Sequence, residues 1–255
     1  MSRVALGLAG TVLTLYGLAC GLLFVFQRSL IYLPPQGAPA VGEGLTRLGT
    51  PAGDELQVTV RRVPGPKALL YFGGNGEDVS WNLPELTRAF PDHALFLLHY
   101  RGYNGTPGSP SEAALHADAA ALFDLVRADH PEIAVIGRSL GSGVAVRLAV
   151  ERPVTRLVLV TPYDSLVKLG AEQFPFFPVS WLMRDRFESD RYAPRVTAPT
   201  LLIVAERDEV IPRASSDRLF ARFAPGVARR VVLPGVGHNS ISARGEYWEA
   251  LRGGV

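Results

Sequence analysis

Residues 4–26 pass without a single charged side chain, bracketed by Arg3 and Arg28. At about 1.5 Å per residue, a helix over that stretch reaches about 34 Å, enough to cross a hydrocarbon core of about 30 Å. Beyond it the pattern changes. Short apolar, β-branched runs at 45–48, 56–62, 68–72, 94–99, 133–136, 157–160, 201–204 and 230–233 predict strands. Longer mixed stretches at 79–90, 111–128, 142–151, 212–223 and 244–251 predict helices. The first two strands read as an antiparallel pair. From residue 68 onward strand and helix alternate, which predicts a mostly parallel, doubly wound α/β sheet with helices on both faces. Sheets of this kind bind ligands outside the carboxyl ends of their strands.

Three segments follow from this reading: a membrane anchor over 1–28, a Pro/Gly/Ala-rich linker over 29–44 containing Pro34-Pro35, and one α/β domain over 45–255. A cleavable signal peptide would carry an apolar region of about 7–15 residues ending in a small-residue site, whereas this run continues through Leu22 to Phe26. Gly17-Leu18-Ala19-Cys20 matches a lipoprotein-processing site poorly, because the apolar run does not stop at Cys20. An uncleaved single-pass anchor is the expectation. Arg3 and Arg28 give the positive-inside rule little contrast, and the default for a lone N-terminal anchor places the domain on the non-cytoplasmic side. At about 100° per residue, Gly7, Gly10, Thr14, Gly17 and Gly21 share one stripe of small side chains, so a homodimer through Gly17 and Gly21 is the expected form of any self-association.

Net charge is only +2 and the basic residues are scattered, with Arg61-Arg62 and Arg229-Arg230 the only adjacent pairs, so no nucleic-acid partner is expected. The sole cysteine, Cys20, excludes an internal disulfide. No Cys/His cluster has metal-ligand spacing and no phosphate-binding glycine loop with Lys-Ser/Thr occurs, so neither a metal nor a cofactor is expected.

The chemistry is concentrated in Gly137-Arg138-Ser139-Leu140-Gly141, a G-x-S-x-G between a predicted strand and a predicted helix. A serine on such a turn has strained backbone, and its neighbours two residues away must be small to clear the adjoining strand and helix. Its hydroxyl needs a base, and the base needs an orienting acid. Of the five histidines, His93 and His130 precede strands and His116 lies mid-helix, while His99 ends a strand before the serine. His238, in the Gly-rich loop after the last strand, is the candidate base. Asp208, in the loop after the strand at 201–204, is the candidate acid; Asp164, after the preceding strand, is the runner-up, and Glu206 and Glu209 read as a solvated loop pair. Oxyanion donors are expected from the amide of Leu140 and from the Gly73-Gly74-Asn75-Gly76 loop, there assigned to Asn75.

Together with Gln27-Arg28-Ser29-Leu30-Ile31-Tyr32, Tyr100-Arg101-Gly102-Tyr103, Thr161-Pro162-Tyr163-Asp164-Ser165 and Val210-Ile211-Pro212, these segments resemble the α/β-hydrolase superfamily. Within it they are similar to the small membrane-anchored hydrolases related to the bud-emergence protein and the α/β-hydrolase-domain-containing proteins. One departure stands out: that family usually has histidine where Gly73 stands. By resemblance, Tyr100 to Tyr103 flank the site, the alternative being packing beneath the loop. The implied activity is hydrolysis of a carboxylic ester or thioester through an acyl-enzyme on Ser139, acting on a small acyl substrate or an acylated protein. A peptidase or acyltransferase would use the same residues, and a non-catalytic membrane-tethered scaffold is the alternative of a different class. Residues 160–200 leave room for a short cap, whose Phe174, Phe176, Phe177, Trp181 and Met183 read equally as an acyl pocket or as core under a short helix.

Overall fold

A computed structural model describes residues 3–35, 44–50, 53 and 55–255. Residues 36–43, half of the linker expected at 29–44, lie outside the described residues. Eight strands form one sheet: β1 (Leu45–Gly49), β2 (Glu55–Arg61), β3 (Lys67–Phe72), β4 (Ala94–Leu98), β5 (Glu132–Arg138), β6 (Arg156–Val160), β7 (Thr200–Ala205) and β8 (Ala228–Leu233). Their order is β1-β2-β4-β3-β5-β6-β7-β8. The pairs β1–β2 and β2–β4 are antiparallel, and every other pair is parallel. β5 sits at the middle, so the turn that follows it emerges at the centre of the carboxyl edge.

The helices are α1 (Arg3–Ile31), α2 (Leu83–Ala89), α3 (Glu112–Arg127), α4 (Leu140–Glu151), α5 (Leu166–Gln173), α6 (Val179–Leu182), α7 (Ser189–Tyr192), α8 (Arg213–Phe220) and α9 (Gly245–Arg252). Side chains alternate across β3 with the period of two that a strand imposes. Ala68, Leu70 and Phe72 enter a core with Leu115 and Phe123 of α3 and Val144 of α4. Leu69 and Tyr71 enter the opposite one with Leu86 of α2 and Leu251 of α9. Covering on both faces is why β6 and β7 read as unbroken apolar runs rather than alternating ones.

Local chemistry sets the helix starts. The Ser111 hydroxyl caps α3 by accepting from the Ala114 amide at 3.2 Å, and Ser165 caps α5 in the same way. The stretch expected as one helix at 79–90 divides, because Asp78 caps a 3₁₀ turn, Val79–Asn82, before α2 begins with Pro84 in its first turn. The cap over residues 160–200 is built from α5, α6 and α7.

α1 is long and apolar enough to cross a membrane. It does not stop at Arg28 but continues to Ile31, and Tyr32 beyond it joins the domain core at 2% exposure. Its first half is exposed all round despite its apolar composition. Nothing lies within 4 Å of a Cβ placed at Gly17 or Gly21, so that stripe faces open space.

Candidate active site

Ser139 follows β5 at φ 49°, ψ −119°, a conformation costly for a side chain-bearing residue. Its glycine neighbours have no alternative: a Cβ at Gly137 would strike the Gly141 carbonyl and the Ala145 side chain, and one at Gly141 would strike the carbonyl of Phe72. Tight contact between β5, α4 and β3 therefore lifts the hydroxyl out of the sheet edge.

The loops after β7 and β8 bring the other two residues to it. His238 Nε2 lies 3.0 Å from Ser139 Oγ, and His238 Nδ1 lies 3.0 and 2.9 Å from the two Asp208 oxygens. All three side chains are nearly buried, that of Asp208 at 2% exposure. Asp208 Oδ1 also accepts from the amides of Val210 and Ile211 at 3.0 and 2.7 Å, which fixes the carboxylate against the imidazole. With Nδ1–H donated to Asp208, Nε2 is left to accept from the serine.

Asp164 is occupied elsewhere. Ser215 Oγ donates to it at 2.6 Å, Arg218 at 2.7 and 3.2 Å and Lys168 at 3.2 Å, binding α5 and α8 to the end of β6. Burial alone would push its carboxyl up, but these donors outweigh burial and hold it below the usual carboxylate range. Glu206 and Glu209 are exposed, as a solvated loop pair would be, yet each also has a backbone partner. Glu206 accepts from the Gly235 amide at 2.8 Å and Glu209 from the His238 amide at 3.1 Å, so both anchor the loop that carries the base.

The other histidines have separate duties. His99 is buried between Thr59 and Asn104, and burial lowers its pKa. His130 bonds the Gly65 carbonyl at 2.8 Å. His116 packs edge-on to Phe187 with its Nε2 buried and without a hydrogen-bond partner among the described residues.

Leu140 opens α4, so its amide has no preceding turn to bond, and it borders the same cavity as Ser139 and Asn75. The Asn75 amide has no hydrogen-bond partner among the described residues. Its neighbour is committed: the Gly74 amide donates to Glu77 Oε2 at 2.6 Å. Glu77 also accepts from Tyr71 and Asn82, each at 2.7 Å, and Arg138 stands 3.6 Å away. Tyr100 donates to the Gly73 carbonyl at 2.8 Å from beneath, and its neighbour Tyr103 accepts from the Leu33 amide at 3.1 Å. Tyr100 and Glu77 thus brace the loop in which glycine replaces the family's histidine. Sequence reasoning did not reach Glu77; its signal was an acid three residues past Gly74, the spacing at which a side chain returns to a backbone amide.

Two cavities meet at Ser139. One, of about 260 Å³, is apolar, walled by Leu140, Leu166, Leu169, Phe177 and Met183 together with Leu23 and Ile31 of α1. The other is the more polar of the two, with Glu77, Asp78, Asn82, Arg138, His238 and Asn239 beside Trp81 and Val210. The participation of α1 was not foreseen. It is held there by Gln27, whose amide donates to the Leu182 carbonyl at 3.0 Å and accepts from the Arg184 amide at 2.6 Å, and by Arg28, which pairs with the buried Asp185 at 2.8 Å. No group of three or more Asp, Glu, His or Cys suited to a metal occurs among the described residues.

Comparison with known proteins agrees with this architecture. The chain is 33% identical over 191 residues to alpha/beta hydrolase domain-containing protein aho-3 of Caenorhabditis elegans, covering 72% of this chain and 56% of that one. The chain belongs to the α/β-hydrolase superfamily. It is also 38% identical over 229 residues to an uncharacterized protein of Mycobacterium tuberculosis, covering 84% of this chain and 80% of that one. No family model matches the sequence. Among solved structures, the Pyrococcus furiosus esterase Pf2001 superposes with a TM-score of 0.68 over 87% of this chain and 96% of its own, at 18% identity, a likeness of fold.

Proposed function

We propose that this chain is a membrane-anchored serine hydrolase that cleaves a carboxylic ester or thioester through an acyl-enzyme on Ser139. The observation that carries this reading is the unbroken line from Asp208 through His238 to Ser139, with both hydrogen bonds near 3.0 Å. Ser139 Oγ attacks the acyl carbonyl carbon while its proton passes to His238 Nε2. Charge gathers on the carbonyl oxygen, where the amides of Leu140 and Asn75 meet it. The bond to the leaving oxygen or sulfur breaks, and the leaving group takes the proton from Nε2. Water then attacks the acyl-enzyme, gives its proton to Nε2, and Ser139 regains it as the acid departs. Asp208 keeps the imidazole in the required tautomer and offsets its transient charge.

The pairing of an apolar with a polar cavity supports a substrate whose acyl part is hydrocarbon and whose leaving group is polar. In this reading α1 is a single-pass anchor with the catalytic domain on the non-cytoplasmic side. Labelling the full chain with a fluorophosphonate tests the chemistry: wild type is expected to label and Ser139→Ala to be blank. A folded wild type that never labels and never releases p-nitrophenol from short esters makes it a scaffold instead.

A further inference from the structure

α1 and the cap touch over a long distance, and the contact reaches well into the apolar run. Tyr16 donates to the Phe176 carbonyl at 2.8 Å and stacks on Phe177 with ring centroids 5.7 Å apart, while Arg184 lies 4.1 Å over Phe24. Tyr16 precedes Phe26 by about 15 Å of helix, roughly half the depth of a hydrocarbon core. Residues 173–183 of the cap contain no charged side chain and are flanked by Glu172 and Arg184. At that tip Phe176 is 84% and Trp181 87% exposed. Single exposed apolar residues are ordinary, but a cluster continuous with a lipid-facing helix is not. If α1 spans the bilayer, this tip stands beside it at the depth of the acyl chains. The apolar cavity lies between the same two elements, with Leu23, Leu30 and Ile31 on one side and Leu169, Phe174, Phe177 and Met183 on the other, and it ends at Ser139.

We propose that the cap tip is embedded in the leaflet beside α1, and that the acyl chain of a membrane lipid ester slides between α1 and the cap to Ser139 without leaving the bilayer. This rests on the serine-hydrolase reading above and deepens it by naming a bilayer-resident acyl lipid as the substrate class. The anchor is thereby a wall of the binding site as well as a tether, which accounts for the polar clamp of Gln27 and Arg28 at the end of an otherwise apolar helix. The polar headgroup is left on the side of Glu77, Asn82 and Arg138.

The test uses the full chain in phosphatidylcholine vesicles. In a Trp81→Phe, Trp248→Phe variant, Trp181 is expected to be quenched by phospholipid brominated along its acyl chains and hardly by aqueous iodide; the reverse overturns the proposal. Hydrolysis of a vesicle-embedded palmitoyl ester is then compared with that of a soluble butyryl ester. Leu23→Trp, with Leu30→Trp as a second block should the first not fold, is expected to lower the palmitoyl-to-butyryl ratio of kcat/KM by about tenfold. Leu8→Trp, on the half of α1 far from the domain, is expected to keep the wild-type ratio. An unchanged ratio in a folded, fluorophosphonate-labelled Leu23→Trp overturns the lateral route while leaving the hydrolase reading intact. Cleavage of a soluble palmitoylated peptide without cleavage of the embedded ester also overturns it. A wild type inert to every ester and to the fluorophosphonate removes the hydrolase reading and the lateral route with it.

Discussion

Two aspartates sit near the carboxyl edge of the sheet, and their surroundings separate their roles. Asp208 faces His238, whereas Asp164 is surrounded by Ser215, Arg218 and Lys168. Asp208→Asn is expected to lower kcat by about 10⁴ with little change in stability, because the imidazole loses its orienting partner. Asp164→Asn is expected to leave kcat within a few-fold and to cost about 2–3 kcal/mol of stability, the value for a broken buried ion pair discounted for its half-exposed cationic partners. Steady-state kinetics and denaturant titration of both variants check this, and the opposite pattern would reverse the assignment. Tyr100→Phe removes the hydroxyl that holds the Gly73 carbonyl, and kcat on a soluble ester is expected to fall about tenfold with KM nearly unchanged. The positions of Ser139, His238 and Asp208 were legible in the sequence because each follows a strand in a fixed order. The duties of Glu206 and Glu209 were not, since a side chain that bonds a backbone amide 29 residues away leaves no period and no motif, whereas Glu77 left only the local three-residue spacing to Gly74.

At the scale of elements, all eight strands were legible, the central ones because burial on both faces demands contiguous apolar runs. Helix edges were less so: α4 begins at Leu140, two residues before the expected start, since a strained turn rather than a polar cap launches it. The short helices α5 to α7 carry too few turns for a 3.6-residue period to show. α3 holds a titrating group whose effect is felt by the whole fold. Burial first, and then nearby Arg147, lowers the His116 pKa from 6.5 to about 4. A histidine kept neutral in the folded state stabilises fully above its unfolded value, and stability falls as the unfolded chain gains the proton. The unfolding free energy of wild type is therefore expected to fall between pH 6.5 and pH 4, with His116 contributing roughly 3 kcal/mol and His99 adding to the same slope. His116→Leu is expected to flatten that slope; a variant retaining the wild-type slope would assign it to another group.

For the molecule as a whole, the sequence divided anchor, linker and domain as separate segments, and each pattern taken alone supports that division. What the pattern could not carry is contact between segments far apart in the chain. Gln27 and Arg28 look like an ordinary polar end to a membrane helix until Leu182, Arg184 and Asp185 are seen beside them. The Asn75 side chain donates to the Ile31 carbonyl at 3.2 Å, and the Leu33 amide bonds Tyr103 just below. The last carbonyl of α1 is thus joined to the loop expected to steady the developing negative charge. A hydrophobic helix adjusts its tilt to the thickness of its host bilayer, at fractions of a kcal/mol per Å of mismatch. Turnover of one soluble ester should accordingly vary between vesicles of short-chain and long-chain phosphatidylcholine. Equal rates in thin and thick bilayers would show that helix tilt stops short of Asn75; unequal ones would make lipid composition itself a setting on the enzyme's speed.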